Sequence, residues 1–291
     1  MDKNIFHLVG MPRAGNTVLG GIINQNPNLQ VSPLSPLSRT VSVLHQSFEG
    51  ETWENFDWSS EQDTLARKVT QAWYSDYKAE NIIDRGQWFP EVVKRLSDNP
   101  KVIILQRDIF EVFASFIKWA NENVDNFIYT NVTSRKPEDV MSYLSQYGNV
   151  QTSARMIYTY QKYLEENNDL QVMYIDYKDL TSDTENVINN LYDFLEVDKF
   201  DHDYENIKQF EFEGQKYNDT RVGANLHKLK EGSIETYTHD IEWLFPRNIY
   251  NRWLNMNELI YTPEQLEEKY NKWTYWFMDY QHLAKLHLQK S

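Results

Sequence analysis

A loop near the start of the chain combines glycines, an arginine and a threonine at spacings that suit the binding of a phosphate group. Gly10 and Gly15 have the G-x-x-x-x-G spacing of a phosphate-binding loop, and Thr17 stands where such loops carry serine or threonine. Loops that handle nucleoside triphosphates have a lysine after the second glycine, but here Asn16 takes that place and the cation comes earlier, as Arg13. We therefore expect the loop to bind an anion without the point charge that ATP chemistry requires.

Arginines also follow two apolar runs farther along the chain. Arg107 comes directly after residues 101–106, and Ser115 stands eight residues later, about two turns along a predicted helix. Arg85 follows Asp84 at the end of another short run. Parallel α/β sheets bind ligands at the carboxyl ends of their strands, so we expect these groups to meet the loop at one edge of the sheet. A second phosphate group would fit between Arg107 and Ser115, although an ordinary surface arginine beside a helix serine gives the same pattern.

Apolar runs of strand length alternate with segments of helical spacing, which predicts an α/β fold with a parallel sheet. We expect four strands, at residues 4–9, 81–84, 101–106 and 170–175. Helices are predicted between them, including one over 138–166 that Gly148 weakens and an amphipathic one from Glu264 onward. Residues 32–36 are interpreted as a turn-rich crossing. Residues 123–137 are interpreted as a mobile loop, which is either a lid over a binding site or simple disorder.

The composition disfavours several classes of protein. The chain has 291 residues, enough for a single domain over residues 1–291 with a large core. Its formal net charge of −14 disfavours nonspecific binding to nucleic acid or to an anionic membrane, although a local basic cleft can override the overall sign. Cysteine is absent, so thiolate catalysis and cysteine-ligated metals are excluded. No run approaches the roughly 18 apolar residues of a membrane-spanning helix, and we expect a cytoplasmic protein.

Three segments resemble the nucleotide-binding motifs of one enzyme family. Residues 12–19 read P-R-A-G-N-T-V-L, against the family's P-[KR]-S-G-[TS]-T-x-L. Residues 107–115 read R-D-I-F-E-V-F-A-S, against R-[DN]-P-x-[DE]-x-x-x-S, and residues 177–180 read Y-K-D-L, against a later Y-E-D-L segment. In order and spacing, from about residue 4 to residue 230, the chain resembles the sulfotransferases that use PAPS (3′-phosphoadenosine 5′-phosphosulfate). Within that family it resembles the bacterial and phage branch.

The resemblance implies a P-loop-like, three-layer α/β domain in which helices flank a central parallel sheet, with a helical C-terminal tail. It implies an enzyme that moves a sulfuryl group from PAPS to a hydroxyl or amine of a small-molecule or glycan acceptor, and that releases PAP without a metal ion. Arg13 and Arg85 would neutralise charge as the S–O bond breaks. The nucleotide-binding residues that the resemblance implies are Pro12, Arg13, Ala14, Gly15, Asn16, Thr17, Val18, Arg107, Ser115, Tyr177, Arg221, Lys228 and Lys230.

The base that would deprotonate the acceptor is the point where the chain departs most from the family. Many relatives carry a histidine two residues after the strand-end cation, but Gln87 stands there, and an amide does not take up a proton near neutral pH. Asp84, His45 and His227 are candidates by residue type alone. His7 lies within the first predicted strand and is interpreted as a packed core residue.

Two other functions stay open at this point. The glycine-containing loop is compatible with a kinase that phosphorylates a small molecule, although Asn16 in the lysine position argues against it. Gln87 is compatible with a non-catalytic relative that binds PAP or another anion. Tight binding of Mg-ATP would favour the kinase, whereas slow hydrolysis of PAPS would count against the non-catalytic relative.

Overall fold

The protein is built around one parallel sheet. The computed structural model describes residues 2–48, 57–123, 125–146, 149–216, 227–239, 259–262 and 265. Five strands form the sheet: β1 (Asn4–Gly10), β2 (Leu29–Leu34), β3 (Asn81–Arg85), β4 (Lys101–Gln106) and β5 (Gln171–Asp176). Their spatial order is β2-β3-β1-β4-β5, and all neighbours pair in parallel. A short antiparallel hairpin lies outside the sheet and consists of β6 (Glu211–Phe212) and β7 (Gln215–Lys216).

Helices connect the strands and flank the sheet, because parallel neighbours need a crossover connection. Within the described ranges they are α1 (Asn16–Ile23), α2 (Leu37–Gln46), α3 (Ser59–Tyr74), α4 (Pro90–Val93), α5 (Ile109–Glu122), α6 (Phe127–Asn131), α7 (Pro137–Gln146), α8 (Asn149–Glu166), α9 (Tyr177–Ser182) and α10 (Thr184–Leu195). No helix of this described part is long and apolar enough to cross a membrane. The arrangement confirms the predicted α/β fold, whereas the tail helix predicted from Glu264 lies outside the described residues.

The two strands at the middle of the sheet are buried on both faces. Leu8 and Val9 of β1 and all four residues from Val102 to Leu105 of β4 are buried. Strands covered by helices on both faces have nearly continuous apolar sequences instead of alternating ones. This is why the sequence predicts β1 and β4 so well, and it also predicts β3 and the edge strand β5 to within one or two residues at their ends.

The edge strand β2 corrects the prediction of a turn-rich crossing at residues 32–36. Proline cannot donate a backbone hydrogen bond, which makes Pro33 look like a strand breaker in the sequence. On an edge strand that missing donor is tolerated, and the pairing with β3 shifts register between Val31 and Leu34. The prediction fails because the tolerance of a strand for proline depends on whether the strand lies at the edge of the sheet, which the local sequence does not show.

The prediction of a loop over 123–137 also needs correction. The segment contains α6, which is capped by Asn126, whose side chain accepts hydrogen bonds from the amides of Ile128 and Tyr129. The helix expected over 138–166 is described as α7 and α8, and the two residues between them, 147 and 148, lie outside the described residues. The lid remains a prediction.

The sheet order creates a crevice beside β1. Connections from β1 run first outward to β2 and later in the opposite direction to β4 and β5. Open α/β sheets bind ligands where such a reversal occurs, beyond the carboxyl ends of the strands. The Met11 amide donates a 3.0 Å hydrogen bond to the Leu105 carbonyl, so the loop after β1 begins against the end of β4.

His7 is confirmed as a core residue. It lies in β1 between β3 and β4, is 1% exposed, and meets the Trp88 ring edge-on with the ring centres 4.6 Å apart. Burial lowers the pKa of His7 to about 3, because the charged imidazolium cannot be solvated there. The side chain is therefore neutral at physiological pH.

His7 is expected to make the stability of the fold depend on pH. Its ordinary pKa of 6.5 in the unfolded chain falls to about 3 on folding. Between these values the unfolded chain binds a proton that the folded protein does not, so stability is full above pH 6.5 and falls as the pH drops towards 3. We expect His7→Phe to flatten the dependence of the unfolding free energy on pH in this window, measured by urea unfolding.

His202 provides the internal comparison for this experiment. Burial lowers its pKa to about 4, and it lies far from His7 in the chain. Together with His239, whose pKa burial also lowers to about 4, it should contribute to the pH dependence that remains in His7→Phe. An unchanged slope in the variant would show that His7 titrates normally in the folded protein.

Candidate functional site

A cleft of about 1400 Å³ opens at the carboxyl edge of the sheet, where the crevice beside β1 is expected. Most of the residues predicted from the sequence line it together: Pro12, Arg13, Gly15, Asn16, Thr17, Val18, Arg85, Arg107, Ser115, Tyr177, His227, Lys228 and Lys230. Ala14 is buried beneath the loop. Arg221 lies outside the described residues, so its predicted role remains untested.

The loop after β1 has a strained backbone that faces the start of α1. Arg13 and Gly15 have positive φ angles of 64° and 90°. A Cβ atom on Gly15 would lie 2.9 Å from Leu180 and 3.2 Å from Tyr177, so this position needs glycine for space as well as conformation. The backbone N–H groups at the start of a helix have no intrahelical partners and favour an anion. The loop and the first turn of α1 therefore provide an anion-binding surface.

Asn16 explains why this loop differs from that of a nucleoside triphosphatase. Its side chain is 6% exposed, and its Nδ2 donates a 2.8 Å hydrogen bond to the Met11 carbonyl. A Cβ atom on Gly10 would lie 2.5 Å from Asn16 Oδ1, so the amide lies against the loop's own base. The residue in the lysine position therefore closes the loop from within and does not extend towards a triphosphate.

The two predicted anion motifs join directly inside the cleft. Arg13 Nε donates to Ser115 Oγ at 2.9 Å, and Arg107 Nη1 donates to the Arg13 carbonyl at 2.7 Å. The first contact joins the loop to α5, and the second joins the loop to the end of β4. Residues about a hundred positions apart in the sequence thus form one continuous group of donors.

Arg107 is the most buried cation of the cleft, at 4% exposed. Its guanidinium lies over the Tyr177 ring, 3.8 Å from the ring centre, and Nη2 donates to Glu111 and to the Tyr237 carbonyl, each at 3.0 Å. Its Nε is buried and has no hydrogen-bond partner among the described residues. Burial raises the pKa of Glu111, and Arg107 opposes that rise. The guanidinium is thus fixed in orientation by the Tyr177 ring and its hydrogen-bond partners.

Lys118, Tyr237 and His239 close one side of the cleft, and none of them was predicted from the sequence. Tyr237 accepts a 2.6 Å hydrogen bond at its hydroxyl from Lys118, whose Nζ also lies 4.1 Å from the Tyr237 ring centre. The His239 amide donates to Glu111 at 3.1 Å. Burial lowers the pKa of His239 to about 4, with Arg107, Lys118 and Arg13 adding to the effect. Lys118 is one helical turn beyond Ser115, which is a signal the sequence offered, whereas Tyr237 and His239 offered none.

The cleft is basic in an acidic protein. Its cations are Arg13, Arg85, Arg107, Lys118, Lys228 and Lys230. Lys230 pairs with Glu235 at 2.6 Å, and Glu122 and Asp125 also line the cleft. In the parts of the chain that the structure describes, no group of three or more histidine, aspartate or glutamate side chains is placed to hold a metal ion. The local charge favours an anionic ligand despite the net charge of −14.

Two of the predicted catalytic residues lie outside the cleft. Asp84 is 0% exposed and accepts hydrogen bonds from Tyr74, Ser35 and Trp88, so it cannot reach a substrate. His45 ends α2, and its carbonyl accepts a 2.8 Å hydrogen bond from Gln62. Neither is among the described residues that line the cleft. The structure therefore brings neither of them into the cleft, and His227 is the one of the three base candidates that lines it.

Loss of the Asn16 side chain should open the loop. Asn16→Ala removes the shorter of two hydrogen bonds to the Met11 carbonyl, which also accepts from the Ala14 amide at 3.3 Å, and should lower the unfolding free energy by about 0.5–1.5 kcal/mol. The matched control is Asn186→Ala, because Asn186 makes an exposed contact with Asp183 and should change stability by less than about 0.5 kcal/mol. Urea unfolding measures both, and equal losses would contradict a structural role of Asn16 in the loop.

Comparison with known proteins agrees with this geometry. The sulfotransferase domain family matches residues 3–284. A mouse sulfotransferase, SULT7A1, solved in complex with PAP, is 13% identical over 94% of this chain and 90% of its own, with a TM-score of 0.52. The sulfotransferase domain of the curacin biosynthetic pathway is 14% identical over 90% of this chain and 93% of its own, with a TM-score of 0.43.

A sulfotransferase from Alicyclobacillus acidocaldarius is 14% identical over 70% of this chain and 85% of its own, also with a TM-score of 0.43. No curated protein sequence matches the chain. At 13% identity the mouse structure shows a shared fold alone, whereas the family match covers nearly the whole sequence. The chain therefore belongs to the sulfotransferase domain family, whose members move a sulfuryl group from PAPS to an acceptor.

Proposed function

We propose that the cleft binds PAPS across the junction of the two anion motifs and transfers its sulfuryl group to a hydroxyl or amine of a small-molecule or glycan acceptor. The observation that carries the proposal is the hydrogen-bonded junction of Arg107, Arg13 and Ser115. PAPS has phosphate groups at both its 3′ and 5′ positions, and the junction offers donors on two sides. A ligand with one phosphate group would need only one of these motifs.

The loop and the start of α1 are the proposed site of the 5′ end. The first-turn amides of Asn16, Thr17 and Val18 have no partner inside the helix, and the helix dipole favours negative charge there. The Thr17 hydroxyl and the Arg13 side chain line the same part of the cleft. Pro12 and Ala14 contribute through the shape of the loop that carries these donors.

Arg107 and Ser115 are the proposed site of the 3′-phosphate. Ser115 Oγ accepts from Arg13 and still has its own proton to donate, and Arg107 Nε is the buried donor without a partner among the described residues. Tyr177 holds the guanidinium flat by stacking against it. Lys228 and Lys230 line the cleft and add positive charge.

The chemistry proposed for these residues is stabilisation of charge. The acceptor atom attacks sulfur in line, and the electrons of the breaking S–O bond pass to the 5′-phosphate oxygen of the leaving PAP. Arg13 and Arg85 supply cations where that negative charge develops. His227 is proposed to take the acceptor proton, and the support for this is that it lines the cleft, whereas Gln87 is exposed on the turn after β3.

The proposal treats residues 1–291 as one domain, which the family match over 3–284 supports. The kinase alternative loses its support, since the Asn16 side chain faces the loop interior. The cytoplasmic location stays a prediction from the sequence.

Arg107→Ala should separate the two phosphate sites. Because Arg107 is assigned to the 3′-phosphate, the variant should bind PAP about 10- to 100-fold more weakly, as expected for lost charge-assisted hydrogen bonds. Its affinity for 5′-AMP, which lacks the 3′-phosphate, should fall much less, because the loop loses only the hydrogen bond from Arg107 to the Arg13 carbonyl. Calorimetric titration with both nucleotides gives the result.

Arg67→Ala is the control for this titration, because Arg67 forms an exposed ion pair with Asp98 outside the cleft. It should bind both nucleotides as the wild type does. If Arg107→Ala weakened PAP and 5′-AMP alike, the assignment of the 3′ site would be incorrect.

Arg13→Ala and Arg85→Ala should each reduce turnover far more than PAP affinity. Groups that stabilise charge formed only in the transition state typically contribute about 10²- to 10³-fold in rate. Sulfate release from PAPS, with water as the acceptor, measures turnover without knowledge of the natural acceptor. Lys162→Ala removes a cation from an exposed pair with Glu165 and is the control. Equal losses in rate and affinity would mean that the arginines only bind the nucleotide.

A further inference from the structure

We infer that Asp84 is a positioning residue for Arg85, acting as a buried carboxylate that fixes the strand end from which Arg85 enters the cleft. Asp84 does not touch substrate, and its effect on sulfuryl transfer passes through Arg85. The inference rests on the proposed function of Arg85.

Asp84 gathers donors from three separate segments. Its Oδ1 accepts a 2.8 Å hydrogen bond from Trp88 Nε1, and its Oδ2 accepts one of 2.8 Å from Ser35 Oγ and another from the Tyr74 hydroxyl. Tyr74 ends α3, Ser35 follows β2, and Trp88 follows β3. One carboxylate thereby holds together the elements that surround the carboxyl end of β3.

A carboxylate is a costly choice for this position. Asp84 is fully buried, and burial raises its pKa even though three hydrogen bonds favour the charged form. The neighbouring strand residues Ile82 and Ile83 show that β3 otherwise fills its buried positions with apolar side chains. Replacing a buried polar group by an apolar residue of similar size is often neutral or stabilising. A requirement for defined geometry explains why an acid is present instead.

One of the residues that bind Asp84, Ser35, also holds the backbone of Arg85. The Ser35 hydroxyl donates to Asp84, while the Ser35 amide donates to the Arg85 carbonyl at 2.9 Å. On the other side of the peptide, the Arg85 amide donates to Ser32 Oγ at 3.0 Å. Ser35 is therefore a direct link from the Asp84 carboxylate to the main chain of Arg85.

The turn after Arg85 has no room to adjust. A Cβ atom on Gly86 would lie 2.8 Å from Ser38 Oγ and 2.9 Å from Trp88 Nε1, which is the atom that donates to Asp84. The Gln87 amide donates to Ser38 Oγ at 3.1 Å. Small displacements of a catalytic group reduce rates strongly, so a fixed origin for the long Arg85 side chain matters for catalysis.

The test is a double-mutant cycle between Tyr74 and Arg85. Tyr74→Phe removes one donor to Asp84 and should lower the rate of sulfate release from PAPS by about tenfold, with PAP affinity unchanged within about twofold. In an Arg85→Ala background the same change should have no further effect on the rate. Ser35→Ala is the second variant, with the same two expectations, if Tyr74→Phe does not fold.

Two further variants separate positioning from general stability. Tyr192→Phe removes a buried hydroxyl that bonds Asn26 and His202, each at 3.0 Å, away from the cleft, and should leave the rate unchanged. Asp84→Asn keeps an acceptor for Trp88 and can donate to the hydroxyls of Ser35 and Tyr74, so its rate should stay within about threefold of wild type.

An equal rate loss from Tyr74→Phe with and without Arg85 would overturn the inference, because the effect would not pass through Arg85. A normal rate in both Tyr74→Phe and Ser35→Ala would overturn it as well. A wild-type protein that shows no preference for PAP over 5′-AMP would overturn the proposed function, and the inference with it.

Discussion

The hydrogen bonds that Arg107 and Arg13 make across the cleft are the contacts on which the site depends. Arg107 Nη1 reaches the Arg13 carbonyl, and Arg13 Nε reaches Ser115, so the loop after β1, the end of β4 and helix α5 are locked in one arrangement. The positive φ of Arg13 exposes the carbonyl of a residue whose side chain goes to α5. The strained backbone of Arg13 is tolerated because Arg107 holds its carbonyl and Ser115 holds its side chain.

The sheet makes this junction possible. β1 and β4 are neighbours, and the Met11 amide continues their pairing beyond the strand end. The loop and the start of α5 therefore emerge side by side at the reversal point of the strand order. The protein has a net charge of −14, yet several arginines and lysines lie together at this edge of the sheet. The oriented amides of the helix and the loop add to their positive electrostatic potential.

The carboxylate of Asp84 and the guanidinium of Arg85 are adjacent in sequence but have opposite environments. Asp84 is buried among hydroxyl and indole donors, whereas Arg85 lines the cleft, because side chains alternate between faces along a strand. Asn16 lines the cleft, but its side-chain amide bonds the Met11 carbonyl at the base of the loop instead of extending towards a ligand. For Asp84 and Asn16 alike, the residue type alone did not indicate where the side chain points.

The sequence by itself determined the four strands with continuous apolar runs, the two anion motifs and the core position of His7, because each depends on local pattern and burial. Only the tertiary structure decided that Pro33 lies in an edge strand, that Asp84 is buried away from the cleft, and that Tyr237 and His239 close one side of the cleft. These features depend on contacts between residues far apart in the chain. Such contacts leave no periodic or compositional trace at either end, so they are fixed only when the sheet order brings the segments together.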